Sequence, residues 1–469
     1  MTSRPIPRCW AGSDASRAAK LGRRNISLQW TETVLEAYTR GMRVAVYGLW
    51  HLGCVTAACL AEAGHAVVGL DLDAAVVEGL QRGRPPLEEP GLAELAAAGL
   101  RSGRLSFTTH PENALADARV LWVTFDTPVD EQDLADVGFV RSRLEAVADA
   151  VRSGTLVLIS SQVPVGFTEA LAHDWQVRGI QCAYSPENLR LGEALERFQR
   201  PERVVLGIRN EADRAVLTDL FQPLGARIEW VTVESAEMIK HALNAFLATS
   251  VAFINEVGRL CEVSGADAKE VERGLRSDGR VGARAYLTPG AAFAGGTLAR
   301  DVRLLRQLGA RSGIGTPLLD GVWASNAEQQ AWVLRTLERL AGPLSQSVVA
   351  VLGLTYKPGT STLRRSAAIE ACAWLSQRGF GVQAHDPTVT AAGPELPPAV
   401  RLCSSPQEAL AGADVALVAT PWPDYRALQA DEVVGLMRRP QIVDTGRFLA
   451  ETLGRDARIT YVAVGAKGP

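Results

Sequence analysis

The sequence predicts an α/β fold of two doubly wound domains joined by a long central helix. Three observations carry that prediction. A strand–turn–helix–strand unit occupies residues 43–73. Short apolar runs ending in turn residues then alternate with helical segments, and the alternation resumes after residue 347. Between the two series lies ESAEMIKHALNAFLATSVAFINEVGRLCEVSGAD, which has no proline and no glycine before Gly258.

Length and charge set the frame. A chain of 469 residues is long enough for about three domains of roughly 150 residues each. A net charge of -3 gives no basis for a nucleic-acid or anionic-membrane partner. No apolar run reaches the roughly 18 residues that a membrane span requires. The seven cysteines are odd in number and scattered, with no CxxC spacing that suggests zinc. That pattern fits the reducing cytoplasm. Residues 1–41 are rich in arginine and lack the apolar core of a signal peptide. They read as a disordered extension, or as the product of an upstream start codon with Met42 the working start.

The first unit is the clearest local pattern. RVAVYG reads as a strand, GLWHLG as a turn, CVTAACLAEAG as a helix closed by Gly64, and HAVVGLDLD as a second strand. This βαβ unit resembles the dinucleotide-binding fingerprint of Rossmann-like domains. Gly48 makes the tight turn and Gly53 the close helix–strand contact. A pyrophosphate is expected at the helix N-terminus, over the backbone of Trp50, His51 and Leu52. Asp71 closes the second strand and suits a ribose 2′-OH, which points to NAD over NADP. The middle glycine of the fingerprint is Trp50 here. The alternative is a unit of the same shape that binds no dinucleotide.

The next apolar runs, 118–128 and 154–166, read as buried parallel strands. Ligands in such sheets bind beyond the carboxyl ends of strands. The polar ends Thr127, next to Pro128, and Ser160, Ser161 and Gln162 are therefore candidates, against the simpler reading of turn chemistry. Glu187 falls in a loop after a further strand.

The central stretch reads as one helix, apolar on nearly every face and so expected to be buried all round. Lys240 and Asn244 interrupt it one turn apart and share a face. A buried lysine must be paired or functional. The segment LTPGAAFAGGTLARD follows, a glycine-rich loop that lets backbone approach a ligand and ends in Arg300 and Asp301. A second α/β series begins with SVVAVLGLTYKPGT. Its first loop holds Lys357, Arg364 and Arg365, suited to phosphate or carboxylate, or else simply a solvated basic loop. The domains so read are 42–233, 234–315 and 316–469.

Several segments together resemble the UDP-glucose/GDP-mannose dehydrogenase family. SQVPVG is similar to its S-T-V-P-V-G, and YSPENLRLGEA to its S-P-E-F-L-x-E-G-x-A. The helix with Lys240, Asn244 and Ile254-Asn255-Glu256 is similar to K-x-x-x-N…N-E. DGRVGARAYLTPGAAFAGG is similar to D-x-R-I-G-x-x-x-L-x-P-G-x-G-F-G-G, and GLTYKPGTSTLRRS to G-L-x-F-K-P-x-T-D-D-x-R-x-S. The resemblance spans about residues 42–447.

The resemblance implies an architecture of two Rossmann-like doubly wound domains joined by a long central helix. NAD binds the N-terminal domain, the substrate nucleotide binds the C-terminal one, and the helix forms a homodimer in which Arg280 reaches into the neighbour's site. It implies oxidation of a sugar CH2OH to carboxylate in two hydride transfers, with a cysteine capturing the intermediate aldehyde. Lys240, Asn244 and Asp301 match the family's acid–base group, and Glu187 its glutamate. Tyr286, Leu287, Gly290, Phe293, Gly295, Lys357 and Arg364 match its nucleotide-sugar residues.

The departures fall at the chemistry. The family's cysteine position is Thr297, the threonine of S-T-V-P-V-G is Gln162, the lysine of P-K-D is Arg300, and the Asp-Asp pair is Ser361-Thr362. A threonine hydroxyl needs an adjacent base to act as a nucleophile. One hydride transfer between an alcohol and a carbonyl is therefore expected. The alternatives are a reductase of a small anionic 2-oxo acid such as phosphonopyruvate, a four-electron UDP-sugar 6-dehydrogenase, and a non-catalytic nucleotide-sugar-binding protein.

Overall fold

The computed structural model describes residues 41–128, 135–187, 189–293, 297–342, 347–363 and 366–466. The expected extension falls almost wholly outside them. Eight strands form the first sheet: β1 (Arg43–Tyr47), β2 (Ala66–Leu70), β3 (Leu105–Thr108), β4 (Val120–Val123), β5 (Leu156–Ile159), β6 (Gln181–Tyr184), β7 (Val204–Gly207) and β8 (Ile228–Val231). Their spatial order is 3-2-1-4-5-6-7-8. Neighbours run parallel except β6 and β7, which pair antiparallel. Strands β4 and β5 are buried along their whole length, which is why they read as unbroken apolar runs.

The second sheet holds β9 (Val348–Leu352), β10 (Gly381–His385), β11 (Val400–Leu402), β12 (Val415–Val418), β13 (Gln441–Asp444) and β14 (Thr460–Val462), in the order 11-10-9-12-13-14. All its neighbours are parallel. Strand order reverses between β1 and β4 in the first sheet and between β9 and β12 in the second. Such switch points open a crevice at the carboxyl ends of the strands.

The central helix runs Val233–Ser264. The Thr232 side chain caps its start by accepting the Ser235 N–H, and Gly265 ends it at φ +79°. Helices Leu298–Arg311 and Pro317–Ala341 pack against it over a core of Ala245, Ala248, Ala252, Phe293, Ala299, Val302 and Val322. The alanines let the three helices approach closely. One expectation is corrected. The central helix is not buried all round, because Phe246, Phe253, Leu260 and Val263 are 68, 49, 64 and 84 % exposed. Its inward face instead carries the polar Lys240, His241, Asn244 and Asn255. Composition counts apolar residues without direction, and here the usual assignment of faces is partly inverted.

Candidate active site

Two glycines shape the turn after β1. Gly48 has φ +99°, a conformation open to glycine. A Cβ on Gly53 would lie 2.0 Å from the Gly48 carbonyl oxygen, so the helix approaches the strand this closely only with glycine there. Helix His51–Glu62 has no side-chain cap at Trp50, which leaves its first N–H groups for an anion. Leu52 is buried behind them. The Trp50 backbone is extended (φ -97°, ψ -152°), and its indole is half exposed. The Asp71 carboxylate accepts the Leu49 N–H at 2.8 Å and the Asp73 N–H at 3.0 Å. It is only partly buried, so lone pairs remain for ribose hydroxyls.

Behind this turn, His51 Nε2 lies 2.8 Å from Glu89 Oε2. The buried Glu89 carboxylate also accepts the N–H groups of Gly192 and Ala194, at 2.8 and 2.9 Å. Lys357 reaches the same loop from the second sheet and donates to the Leu191 carbonyl at 2.8 Å. Burial lowers the Lys357 pKa, against the opposing pull of Glu89 and Glu193. The loop that carries Glu187 is thus pinned from both sides.

Lys240, Asn244, Asp301, Glu187 and Gln162 come together in one cluster. The Lys240 ammonium donates to the Glu187 carbonyl and lies 3.9 Å from Glu187 Oε2. Asp301 is fully buried. Its carboxylate takes hydrogen bonds from the Gln162 and Asn244 side-chain amides, and His241 Nδ1 lies 2.8 Å from Oδ1. Arg300 donates to the Gln162 side-chain carbonyl. The Thr127 hydroxyl donates to the Gln162 backbone oxygen at 2.6 Å, and Pro128 follows at the end of the β4 run. Asp126, beside Thr127, keeps a solvent-exposed side chain. The protein around it raises its carboxyl pKa, opposed by His51 and Arg300.

The glycine-rich loop is held by amide side chains. Asn255 accepts the Gly290 N–H at 2.9 Å and Gln329 donates to the Gly290 carbonyl at 2.7 Å. Asn326 bonds both the N–H and the carbonyl of Phe293 at 2.9 Å. Beside this loop opens a cavity of about 710 Å³, whose lining includes Gly290, Arg426, Asp444, Arg447 and Phe448. Arg447 adopts φ 57° and is held there by Asp267, at 2.7 and 2.9 Å.

Other expected residues lie apart. Thr297 is exposed at the N-cap of helix Leu298–Arg311, and among the described residues no side chain bonds its hydroxyl. Arg280 points outward and pairs with Asp278 of its own chain. Tyr286 is half exposed and Leu287 is buried. Gly295, Arg364 and Arg365 lie outside the described residues. Sequence reasoning missed His241, Asp126, Glu89, Arg426 and Arg447. His241 was findable, since it lies three residues before Asn244 and so on the same helix face. Arg447 stands just beyond a strand-ending Asp-Thr-Gly.

Comparison with known proteins decides the family. Models of the UDP-glucose/GDP-mannose dehydrogenase family match three stretches: the NAD binding domain at residues 42–225, the central domain at 234–328 and the UDP binding domain at 350–451. A UDP-glucose 6-dehydrogenase of Pseudomonas aeruginosa is 34% identical over 442 residues, covering 90% of this chain and 97% of that protein. The chain belongs to the UDP-glucose/GDP-mannose dehydrogenase family.

The UDP-glucose 6-dehydrogenase of Rhizobium meliloti is 33% identical over 90% of this chain and 99% of its own length. Among solved structures, a UDP-glucose dehydrogenase from Pyrobaculum islandicum superposes with a TM-score of 0.83 at 31% identity, covering 91% of this chain and 98% of that one. A UDP-D-ManNAc dehydrogenase from Pyrococcus horikoshii shares the fold, with a TM-score of 0.79 at 24% identity. The chain is therefore an oxidoreductase of the nucleotide-sugar dehydrogenase family, and its cofactor is NAD. Gly48, Gly53, Asp71 and the uncapped helix fit that cofactor as described. No helix among the described residues is long and apolar enough to cross a membrane.

Proposed function

We propose that this enzyme oxidises the sugar of a nucleotide sugar, or reduces the corresponding carbonyl, in a single two-electron step. The observation that carries the limit is Thr297. It stands where the family has its nucleophilic cysteine, it is exposed, and no described side chain is placed to take its proton. The described cysteines, Cys54, Cys59, Cys182, Cys261, Cys372 and Cys403, are all buried in the helices, strands and loops of the fold. Burial raises the thiols of Cys54, Cys59, Cys182 and Cys372 to about 12, which suppresses thiolate formation.

Bound NAD supplies the hydride acceptor. The chain supplies the rest: the hydroxyl proton leaves to a water held by Lys240, Asn244 and Asp301, the role that the family resemblance implies for them. Lys240 and Asn244 present N–H donors where charge develops on the reacting oxygen, and the low dielectric of their surroundings strengthens that interaction. Glu187 holds the Lys240 ammonium in place. The 710 Å³ cavity has the size for the UDP portion, and Arg426 and Arg447 line it beside Asp444 and Glu451, which favours a nucleotide sugar over a small oxo acid by size. UDP-glucose is the first substrate to test, by analogy with the relatives. The exposed stripe Phe246–Phe253–Leu260, seven residues apart, is the surface on which a second copy docks. The domain boundaries 42–233, 234–315 and 316–469 belong to the same proposal.

The test is NADH formed per sugar, with the mass of the product. One equivalent and an aldehyde or ketone support the proposal. Two equivalents and a carboxylate mean that water attacks a bound aldehyde without covalent capture. Turnover of a small 2-oxo acid without nucleotide, or no turnover of any kind, refutes it.

A further inference from the structure

His241 is a buried ionisable group beside the proposed acid–base residues that the proposed chemistry leaves unused. It is completely inaccessible to solvent. Its Nε2 lies 2.9 Å from the Val163 backbone carbonyl and its Nδ1 lies 2.8 Å from Asp301 Oδ1. A carbonyl oxygen only accepts hydrogen bonds, and so does an ionised carboxylate. A neutral imidazole has one N–H and cannot serve both. Two facing acceptors at 2.8 Å in a dry interior would carry the full cost of unsatisfied buried polar atoms. The contacts therefore require one proton more than a neutral histidine and an ionised aspartate contain.

We infer that His241 is the proton-bearing counter-ion of Asp301, so that the pair carries no net charge and Lys240 is left free to act on the reacting oxygen. The surrounding bonds support this division. Among the described residues the ion-pair partner of Asp301 is His241, whereas that of Lys240 is Glu187 at 3.9 Å. The remaining capacity of Asp301 is taken by Gln162 and Asn244. The other ionisable groups near the pair are Lys240 and Glu237 on the same helix, Arg300 on helix Leu298–Arg311, and Tyr184 and Glu187 on and after β6. Glu237 is engaged elsewhere, accepting the N–H groups of Gly166 and Thr168 at 2.6 and 2.9 Å. His241 also ties three segments together: the loop after β5 through Val163, the central helix, and the helix that carries Asp301. It does not touch the substrate. It is a positioning residue whose charge and geometry act through Asp301. This assignment rests on the reading of Lys240, Asn244 and Asp301 as the acid–base group.

Two measurements on the full chain test it. The first is proton NMR at pH 7 with ring-15N-labelled histidine, made tractable by only six histidines in the sequence. The expected result is a slowly exchanging proton on each of the two ring nitrogens of His241, the one toward Asp301 far downfield of the amide region, both absent in His241→Gln and the downfield one lost in Asp301→Asn. A His241 ring nitrogen without a proton in the folded wild type overturns the inference. This measurement needs no substrate, so it stands even if the dehydrogenase reading fails. The second is steady-state kinetics of His241→Gln, which keeps a side-chain amide N–H donor but has no ionisable proton. The expected kcat falls about 10²-fold, with KM values within about threefold and a changed dependence of kcat on pH. A Gln variant with wild-type kcat and pH profile shows a purely structural role and also overturns it.

Discussion

Asp386 repeats in the second sheet the position that Asp71 holds in the first. Each carboxylate accepts, at 2.8 Å, the N–H of the leucine that follows the glycine ending the first strand, Leu49 for Asp71 and Leu354 for Asp386. The two then diverge. Asp386 also accepts bonds from Thr355, Thr388 and the Trp422 indole, all between 2.9 and 3.0 Å. Its lone pairs are filled by protein. Among the described residues Asp71 accepts only two bonds and keeps acceptor capacity, so the proposed ribose contact has room in the first domain and none in the second. Asp71→Ala should weaken NAD binding about tenfold or more, the loss of one or two charge-assisted hydrogen bonds, measured by NADH fluorescence titration.

Asp386 sets a pH dependence of stability. Burial acts to raise its carboxyl pKa, but the donors of Thr388, Leu354 and Thr355 outweigh it and hold the group below the usual carboxylate range. The folded state thus binds this proton less readily than the unfolded state. The stabilisation is complete above the unfolded value of about 4 and is lost as pH falls through the lower folded value. Asp386→Asn should cost about 2 kcal/mol at pH 7. Thermal melts of the two proteins should converge in acid.

Thr297→Cys tests the limit on the reaction. The residue stands at the N-cap position of helix Leu298–Arg311, where the helix N-terminus favours a thiolate. The variant is expected to raise NADH per sugar from one toward two and to shift the product toward carboxylate. Thr297→Ala should leave the first hydride transfer within about threefold of wild type, because no described side chain activates the hydroxyl.

At the cofactor turn, glycine is required at one position and not at another. A Cβ at residue 53 meets the Gly48 carbonyl at 2.0 Å, so Gly53→Ala should lose about 2 kcal/mol or more and impair NAD binding. Trp50 already holds an extended backbone with its indole half exposed. Trp50→Gly should therefore change NAD affinity by less than about threefold, or roughly 0.6 kcal/mol.

The exposed stripe on the central helix predicts self-association. Phe246→Glu with Leu260→Glu should convert a dimer to a monomer in sedimentation velocity while the helical signal is retained. A wild-type protein that sediments as a monomer would refute the docking surface.

Local constraints made part of this protein legible before it folded. Gly48, Gly53 and Asp71 stand at spacings dictated by one strand, one turn and one helix, so the cofactor unit was legible from residues alone. The same holds for buried parallel strands, whose unbroken apolar runs record burial on both faces. Lys240 and Asn244 were visible because polar residues one turn apart interrupt an apolar helix. Thr297 was visible only through resemblance to a family, as a departure from it.

Which groups pair depends on the assembled fold. Gln162 and Asp301 are 139 positions apart, and Lys357 and Leu191 166 apart, yet each pair is bonded. Nothing in local periodicity encodes such contacts. The facing of the central helix was decided in the same way, since its exposed phenylalanines and buried lysine depend on which side the neighbouring helices cover. His241 lay in plain view beside Lys240, but its role required the Val163 carbonyl and the Asp301 carboxylate on either side of one ring. Hydrogen-bond complementarity is a property of assembled neighbours, and the chain must fold before a histidine can be seen to need a second proton.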